Sequence, residues 1–345
     1  LLGRKRLFLI GVALFSVASG LCGLATELSW LIGCRVLQAV GAALLTPTSL
    51  ALILDAFPAE KRTVVVGLWG AVGALAAALG PSVGALIIQA SSWHWVFLLN
   101  VPVGLLAWLR ARKGLVESSN PSRGGLLDIP GIVVLIAAVA LLVLGVTQMN
   151  VWAAPYSQAT VVAGLLLLVV LYVWARRRPH AVLDFTLFND RNYRYVNLAT
   201  FVFGVAFTAM FLGFFLFMTS VWDYSLIQAG LGITPGPLLV IPVAVISGKY
   251  AARYGYRPLL VLGGVCYALC GLWFYVMVSD TANYWAHWLP GMLLSGLGVG
   301  LVLPALSGAA AACLDANRFA VGCAVNVAVR QFGSAIGVAL SVALI

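Results

Sequence analysis

The chain has 345 residues, of which 63% are hydrophobic and 9% are charged, and its mean hydropathy is +1.06. A soluble domain carries about a quarter of its residues as charges, so the composition excludes a soluble protein and indicates a membrane protein with many spans. The net charge of +10 could suit a nucleic-acid partner, but the distribution of the charges, given below, excludes one. Six cysteines and three histidines show no metal-ligand spacing, so no metal site is predicted.

Eleven apolar runs have about the length that a membrane helix needs, which is about 20 residues for a hydrocarbon core of about 30 Å. A helix satisfies its own backbone hydrogen bonds in lipid, so we predict an all-α bundle. In chain order the runs are 7–26, 29–54, 63–90, 95–110, 129–149, 158–175, 195–218, 226–247, 258–278, 285–312 and 320–345.

The basic residues lie on one side of this predicted bundle. If Arg4, Lys5 and Arg6 define that side, alternate loops place eighteen of the twenty Lys and Arg residues there and none on the other. The positive-inside rule makes that side the cytoplasm, so the chain starts at the cytoplasmic face. The charge is therefore a topology signal, not a nucleic-acid surface. The two remaining basic residues, Arg35 and Arg330, lie inside runs.

Four stretches carry more information than hydrophobicity. In the third of them, Ala76, Gly80 and Gly84 repeat every four residues, a spacing that lets membrane helices approach closely, and Pro81 favours a kink. The four are LLGRKR (1–6), LIGCRVLQAVGAA (31–43), GAVGALAAALGPSVGA (70–85) and WHWVFLLNVPVG (93–104).

In this order the four stretches resemble the major facilitator superfamily, and more narrowly its fourteen-span drug:proton antiporters. Gly3, Arg4 and Lys5 resemble the end of the family's basic loop motif. The family motif L-x-x-x-R-x-x-Q-G-x-G is matched by Leu31, Arg35, Gln38 and Gly41, with alanine for one glycine. The motif G-x-x-x-G-P-x-x-G-G is matched by Gly80, Pro81 and Gly84, with alanine for both outer glycines. The motif W-x-W-x-F-x-x-N-x-P-x-G is matched in full by Trp93, Trp95, Phe97, Asn100, Pro102 and Gly104.

The resemblance implies a bundle of two helical halves with two extra central spans. The loop motif recurs at 248–258, where Arg253, Gly255 and Arg257 are in register and Ala252 replaces the acid, which predicts a weaker second gate. The runs then correspond to family spans three to thirteen, so we expect a chain truncated at both ends. The domains are an N-terminal half, a central linker with the extra spans, and a C-terminal half: 1–113, 114–194 and 195–345.

Arg35 and Gln38 are the leading candidates for a proton or substrate pathway. On a helix they share one face with Ala42, Thr46 and Ser49, and Arg35 lies about 12 Å along the axis from Glu27, at 1.5 Å per residue. An arginine so deep in the membrane faces a cavity or a partner, or only joins two helices by a hydrogen bond. The resemblance implies a proton-relay role for this arginine.

A second polar face lies in the last run. Asn326, Arg330 and Ser334 share it, with Gln331 beside it. Arg330 lies about ten residues from the cytoplasmic end, so its side chain could reach the membrane surface by snorkelling. The sequence therefore favours neither this structural role nor a functional one. In the run 195–218 the threonines are predicted to bond only to their own backbone.

None of the ten acids lies in the middle of a run. Arginine stays protonated, so it cannot carry the proton, although it can lower the pKa of a neighbouring acid. The resemblance places the titrating acid in the family's first span.

Three functions are considered. The leading one is a bacterial inner-membrane efflux carrier, which exports amphipathic drugs or cations in exchange for protons and uses no other cofactor. The second has the same fold and exports one metabolite or antibiotic. The third, a multispan enzyme or sensor, lacks the polar cluster it would need, so no enzyme is expected. The expected partners are the lipid bilayer and a small amphipathic substrate, with a monomeric carrier.

Overall fold

The computed structural model describes residues 3–117, 128–178, 183–314 and 318–343, without the side chains of 54, 59–64, 66–68, 70, 71, 74, 75, 77, 78, 81, 319 and 320. Within these ranges the chain is helical and contains no strand, which confirms the predicted all-α class. A 3₁₀ helix (Phe185–Asn189) and a π-helix (Tyr284–Trp288) accompany the α-helices. These are α1 (Arg4–Cys22), α2 (Leu28–Ala56), α3 (Ala59–Ala90), α4 (His94–Leu98), α5 (Asn100–Gly114), α6 (Ile129–Thr147), α7 (Ala154–Arg176), α8 (Arg191–Ser220), α9 (Leu226–Ile233), α10 (Pro235–Tyr254), α11 (Arg257–Met277), α12 (Leu289–Ala312) and α13 (Phe319–Ala343).

Ten helical segments of the described chain are long and apolar enough to cross a membrane, and they match ten of the eleven predicted runs. The eleventh run, 63–90, lies in α3, whose 32 residues give about 48 Å of helix, enough to span. Two runs are interrupted in the structure. The run 226–247 is divided between α9 and α10, where Pro235 begins the second helix, and the run 95–110 begins as the short helix α4.

The described chain divides into two compact units. The first combines Leu1–Gly124, Tyr224–Lys249 and Asn283–Leu297. The second combines Gly125–Asp223, Tyr250–Ala282 and Gly298–Ile345. The predicted division of the sequence into 1–113, 114–194 and 195–345 stays a prediction.

In the first unit, α1 packs against both α2 and α5, because glycines let the backbones come close. A Cβ atom added at Gly41 of α2 would lie 2.6 Å from the backbone nitrogen of Phe15 in α1. A Cβ added at Gly104 of α5 would collide with Ser16 Oγ. These contacts bring the polar side chains of the three helices within hydrogen-bonding distance.

In the second unit, α8 packs against α13, and α6 pairs with α7. A Cβ at Gly333 of α13 would collide with the carbonyl oxygen of Phe201, so this pair also needs glycine. Where α8 begins, Leu187, Tyr193, Ala310 and Val325 form a buried apolar cluster. This cluster fixes the α8–α13 pair at one end.

Candidate functional site

Arg35 and Gln38 interact as the predicted shared face requires. Arg35 Nη1 donates a 2.6 Å hydrogen bond to Gln38 Oε1, and the guanidinium lies over the Phe97 ring, 5.7 Å from its centroid. That distance is within the range of a cation–π contact. The two residues differ in exposure, because Gln38 is only 2% exposed whereas Arg35 is exposed. Arg35 therefore presents a charge on the surface of the first unit, and a buried amide anchors it.

A buried serine connects this pair to two further helices. Ser19 of α1 accepts hydrogen bonds from Gln38 Nε2 (2.9 Å) and from Asn100 Nδ2 (3.0 Å). Its own hydroxyl donates to the carbonyl oxygen of Phe97, at 2.9 Å. Phe97 and Asn100 come from the W-x-W-x-F-x-x-N-x-P-x-G stretch, and no pattern in the sequence indicates that this stretch contacts Arg35. Ser19 lies in an apolar run and shows no signal in the sequence.

Farther along α2, the polar residues of the predicted face bond locally. The Thr46 hydroxyl donates to the carbonyl of Ala42, and the Ser49 hydroxyl donates to that of Thr46. Trp69 Nε1 also donates to Ser49 Oγ, at 3.3 Å. The part of α2 whose polar side chains bond to one another and to another helix is therefore the part that contains Arg35 and Gln38.

The second unit contains another buried polar network. Asn326 Nδ2 of α13 donates to Asn197 Oδ1 and to Thr200 Oγ1 of α8, both at 3.0 Å. All three side chains are buried. The prediction that Thr200 bonds only to its own backbone is thus incomplete, because its hydroxyl donates to the carbonyl of Val196 and also accepts from Asn326.

Arg330 and Gln331 do not join this network. Arg330 is partly buried and Gln331 is exposed, and neither side chain has a hydrogen bond or an ion pair within the described ranges. Their assignment to the pathway stays a prediction.

The kink motif lies in the interior of α3, which continues through residue 81. A Cβ atom added at Gly80 or Gly84 would meet nothing within 4 Å, so neither glycine makes a close helix contact within the described residues. The side chain of Pro81 lies outside them. The neighbouring Ser82 is buried, and its hydroxyl is 2.7 Å from that of Thr234, where α9 ends.

The first predicted gate loop is bonded to two other segments. Arg4 forms an ion pair with Asp55, at the end of α2. Lys5 Nζ donates to the carbonyl of Leu115 at 2.6 Å, and the Lys5 backbone N–H donates to Glu117 Oε1 at 3.0 Å. Gly3 adopts φ +80°, a left-handed conformation that favours glycine.

The second predicted gate loop has fewer contacts. Gly255 repeats the left-handed turn with φ +78°. Arg253 lies over the Tyr254 ring, 5.3 Å from its centroid. Within the described part of the chain, neither Arg253 nor Arg257 has an ion pair. That this second gate is the weaker one stays a prediction.

Most of the acids whose side chains the structure describes serve as caps or ion-pair partners near helix ends. Asp128 and Asp190 accept hydrogen bonds from the first turns of α6 and α8. Asp184 lies 3.7 Å from Arg318. No cluster of three potential metal ligands occurs among the described residues.

Comparison with known families identifies the fold. The family model described as Major Facilitator Superfamily matches residues 1–338, nearly the whole chain. The chain belongs to the Major Facilitator Superfamily. Membership explains the many spans, and it makes this protein a multi-pass protein of a cell membrane.

Two bacterial proteins are similar to this chain over nearly its whole length. Multidrug resistance protein 3 of Bacillus subtilis (strain 168) is 28% identical over 98% of this chain and 66% of its own length. The methylenomycin A resistance protein of Streptomyces coelicolor is 30% identical over 98% of this chain and 71% of its own. The chain thus spans roughly two thirds of the length of these relatives.

A solved structure supports the same fold. The auto-inhibited peptide transporter of the POT family matches 99% of this chain and 75% of its own, with a TM-score of 0.61. The sequence identity is 14%, so the likeness concerns the fold alone.

Proposed function

We propose that the protein is an efflux carrier that exports amphipathic drugs or cations from a bacterium in exchange for protons. The observation that carries this proposal is the relationship to proteins named for drug resistance, over nearly the whole chain. The exposed charge of Arg35, anchored on a buried amide, supplies a polar group for a transport pathway. The basic loops would face the cytoplasm, which places the start of α1 there.

Proton coupling needs a group that titrates, and we propose that the charge of Arg35 assists this group. Arginine stays protonated at physiological pH. Its field would lower the pKa of a carboxylate that approaches it. We propose the proton as the only coupling ion, a monomeric carrier, and no enzymatic step.

Transport in everted membrane vesicles tests the proposal. The full-length gene product should drive uptake of the lipophilic cation ethidium into energised vesicles, and ethidium should release protons from vesicles that hold a pH gradient. Arg35→Ala should abolish both signals while the amount of protein in the membrane is unchanged. Arg112→Ala is the matched control and should transport normally, because the Arg112 guanidinium lies over the Trp108 ring and has no ion pair among the described residues. Transport that persists in the presence of a protonophore would refute the antiport.

The Streptomyces relative supports a second candidate, the export of one antibiotic. A panel of cations and antibiotics separates the two. Resistance to several unrelated cations supports the multidrug carrier, and resistance to a single compound supports the specific exporter.

A further inference from the structure

The hydrogen bonds of Ser19 use the full capacity of its hydroxyl. A serine hydroxyl has one proton to donate and two lone pairs to accept with. Ser19 gives its proton to the Phe97 carbonyl and accepts from the Gln38 and Asn100 amides. The side chain is 0% exposed, so water does not compete for these positions.

The direction of the Ser19 proton determines the orientation of Gln38. A carbonyl oxygen can only accept, so the Ser19 proton is committed to Phe97. Ser19 can then only accept from Gln38, which must turn its NH₂ group towards Ser19. The carbonyl of the Gln38 amide therefore points away from Ser19, and its oxygen accepts the 2.6 Å bond from Arg35.

We propose that Ser19 is a positioning residue for Arg35, and that Phe97 and Asn100 hold it in the required orientation. Ser19 acts through Gln38, whose carbonyl fixes the guanidinium over the Phe97 ring. This gives the W-x-W-x-F-x-x-N-x-P-x-G stretch a role: it supplies a carbonyl acceptor and an amide donor to Ser19, and an aromatic surface to the arginine of another motif. The consequence for transport rests on the proposed function, but the positioning itself does not.

The mobility of Arg35 can be measured without a substrate. The reagent phenylglyoxal modifies arginine, and peptide mass spectrometry of the purified full-length gene product gives the rate at Arg35. Ser19→Ala allows the Gln38 amide to flip and lose its bond to Arg35. The rate at which phenylglyoxal modifies Arg35 should then rise roughly fivefold, the factor that corresponds to the loss of one net hydrogen bond. Ser16→Ala is the matched control, because in the described part of the chain the Ser16 hydroxyl donates to the Val12 carbonyl of its own helix and bonds to neither Gln38 nor Arg35, and it should leave the rate unchanged.

A double variant tests whether Ser19 acts through Gln38. Gln38→Leu removes the acceptor of Arg35 and should raise the rate by itself. Adding Ser19→Ala to Gln38→Leu should then change nothing further. A purely structural role of Ser19 predicts that the two effects multiply, and that outcome would overturn the proposal, as would an unchanged rate in Ser19→Ala.

Ethidium uptake separates this inference from the proposed function. If Ser19→Ala raises the rate at which phenylglyoxal modifies Arg35 while Arg35→Ala transports normally, the positioning role of Ser19 is supported and the pathway role of Arg35 is refuted. If Arg35→Ala abolishes transport while Ser19→Ala leaves the rate at Arg35 unchanged, positioning alone fails. If Arg35→Ala abolishes transport and Ser19→Ala raises the rate at which Arg35 is modified, Ser19→Ala should also lower the maximal rate of ethidium uptake. Ser19→Thr, which retains the hydroxyl, should restore that uptake rate.

Discussion

At the scale of single residues, both buried networks are built on an amide whose two ends have different partners. Gln38 donates to Ser19 and accepts from Arg35. Asn197 donates to the Tyr193 carbonyl and accepts from Asn326. An amide can link a donor on one side to an acceptor on the other without a charge of its own, which suits a membrane interior where an unpaired polar group is costly.

The Asn326 network provides a stability prediction. Asn326→Leu removes the amide that donates to two buried acceptors, Asn197 Oδ1 and Thr200 Oγ1, so both lose this hydrogen bond. Interhelical hydrogen bonds in membranes contribute about 0.6 kcal/mol on average and about 1.7 at most, so we expect a loss of about 1 kcal/mol. A lower thermal midpoint in detergent would show it. Gln331→Leu on the same helix is the control, and an equal loss there would contradict the assignment.

At the scale of helices, close packing depends on which face of a helix a glycine occupies. Gly41 faces the backbone of α1, whereas a Cβ at Gly33 of the same helix would meet nothing within 4 Å. Gly41→Ala should therefore lower stability by about 1–3 kcal/mol, the usual effect of overpacking. Gly33→Ala should be neutral or slightly stabilising, because alanine favours helix. Thermal unfolding of the two variants compares them directly, and equal midpoints would contradict the packing.

The start of α1 gains a cap from a distant segment. Gly3, which precedes the helix, offers no side-chain cap, and the first turn contains no acidic residue. Glu117 supplies a carboxylate to the Lys5 N–H and lies 3.8 Å from Arg6 Nε. A carboxylate is favourable at a helix N-terminus, where the unpaired N–H groups carry partial positive charge.

Removing this charge should loosen the first turn of α1. Glu117→Gln keeps the shape of the side chain and removes its charge, so trypsin should cut more rapidly at residues 4–6 in everted vesicles. Glu27→Gln is the control, because Glu27 makes no side-chain hydrogen bond to α2. If trypsin cuts the Glu117→Gln variant at the wild-type rate, Glu117 does not stabilise the turn.

At the scale of the whole molecule, the sequence predicts helices well and contacts between them poorly. Long apolar runs predict spans because each helix must satisfy its backbone in lipid. The Arg35–Gln38 pair was also predictable, because three residues along a helix bring side chains to one face. Ser19 was not, because its partner Asn100 is 81 positions away and a serine in an apolar run is equally typical of helix packing. The contacts of Asn326 with α8 were missed for the same reason.

The orientation of the chain in the membrane is a prediction that belongs to the molecule as a whole. No single loop determines it, but eighteen basic residues on one side and none on the other favour one topology strongly. In a cysteine-free background of the full-length gene product, Ser91→Cys and Val151→Cys should react with an impermeant maleimide on intact cells, because both positions are exposed outside the spans. Lys113→Cys and Arg178→Cys should react only after permeabilisation. Labelling of the last two on intact cells would place the basic loops outside and reverse the transport direction proposed above.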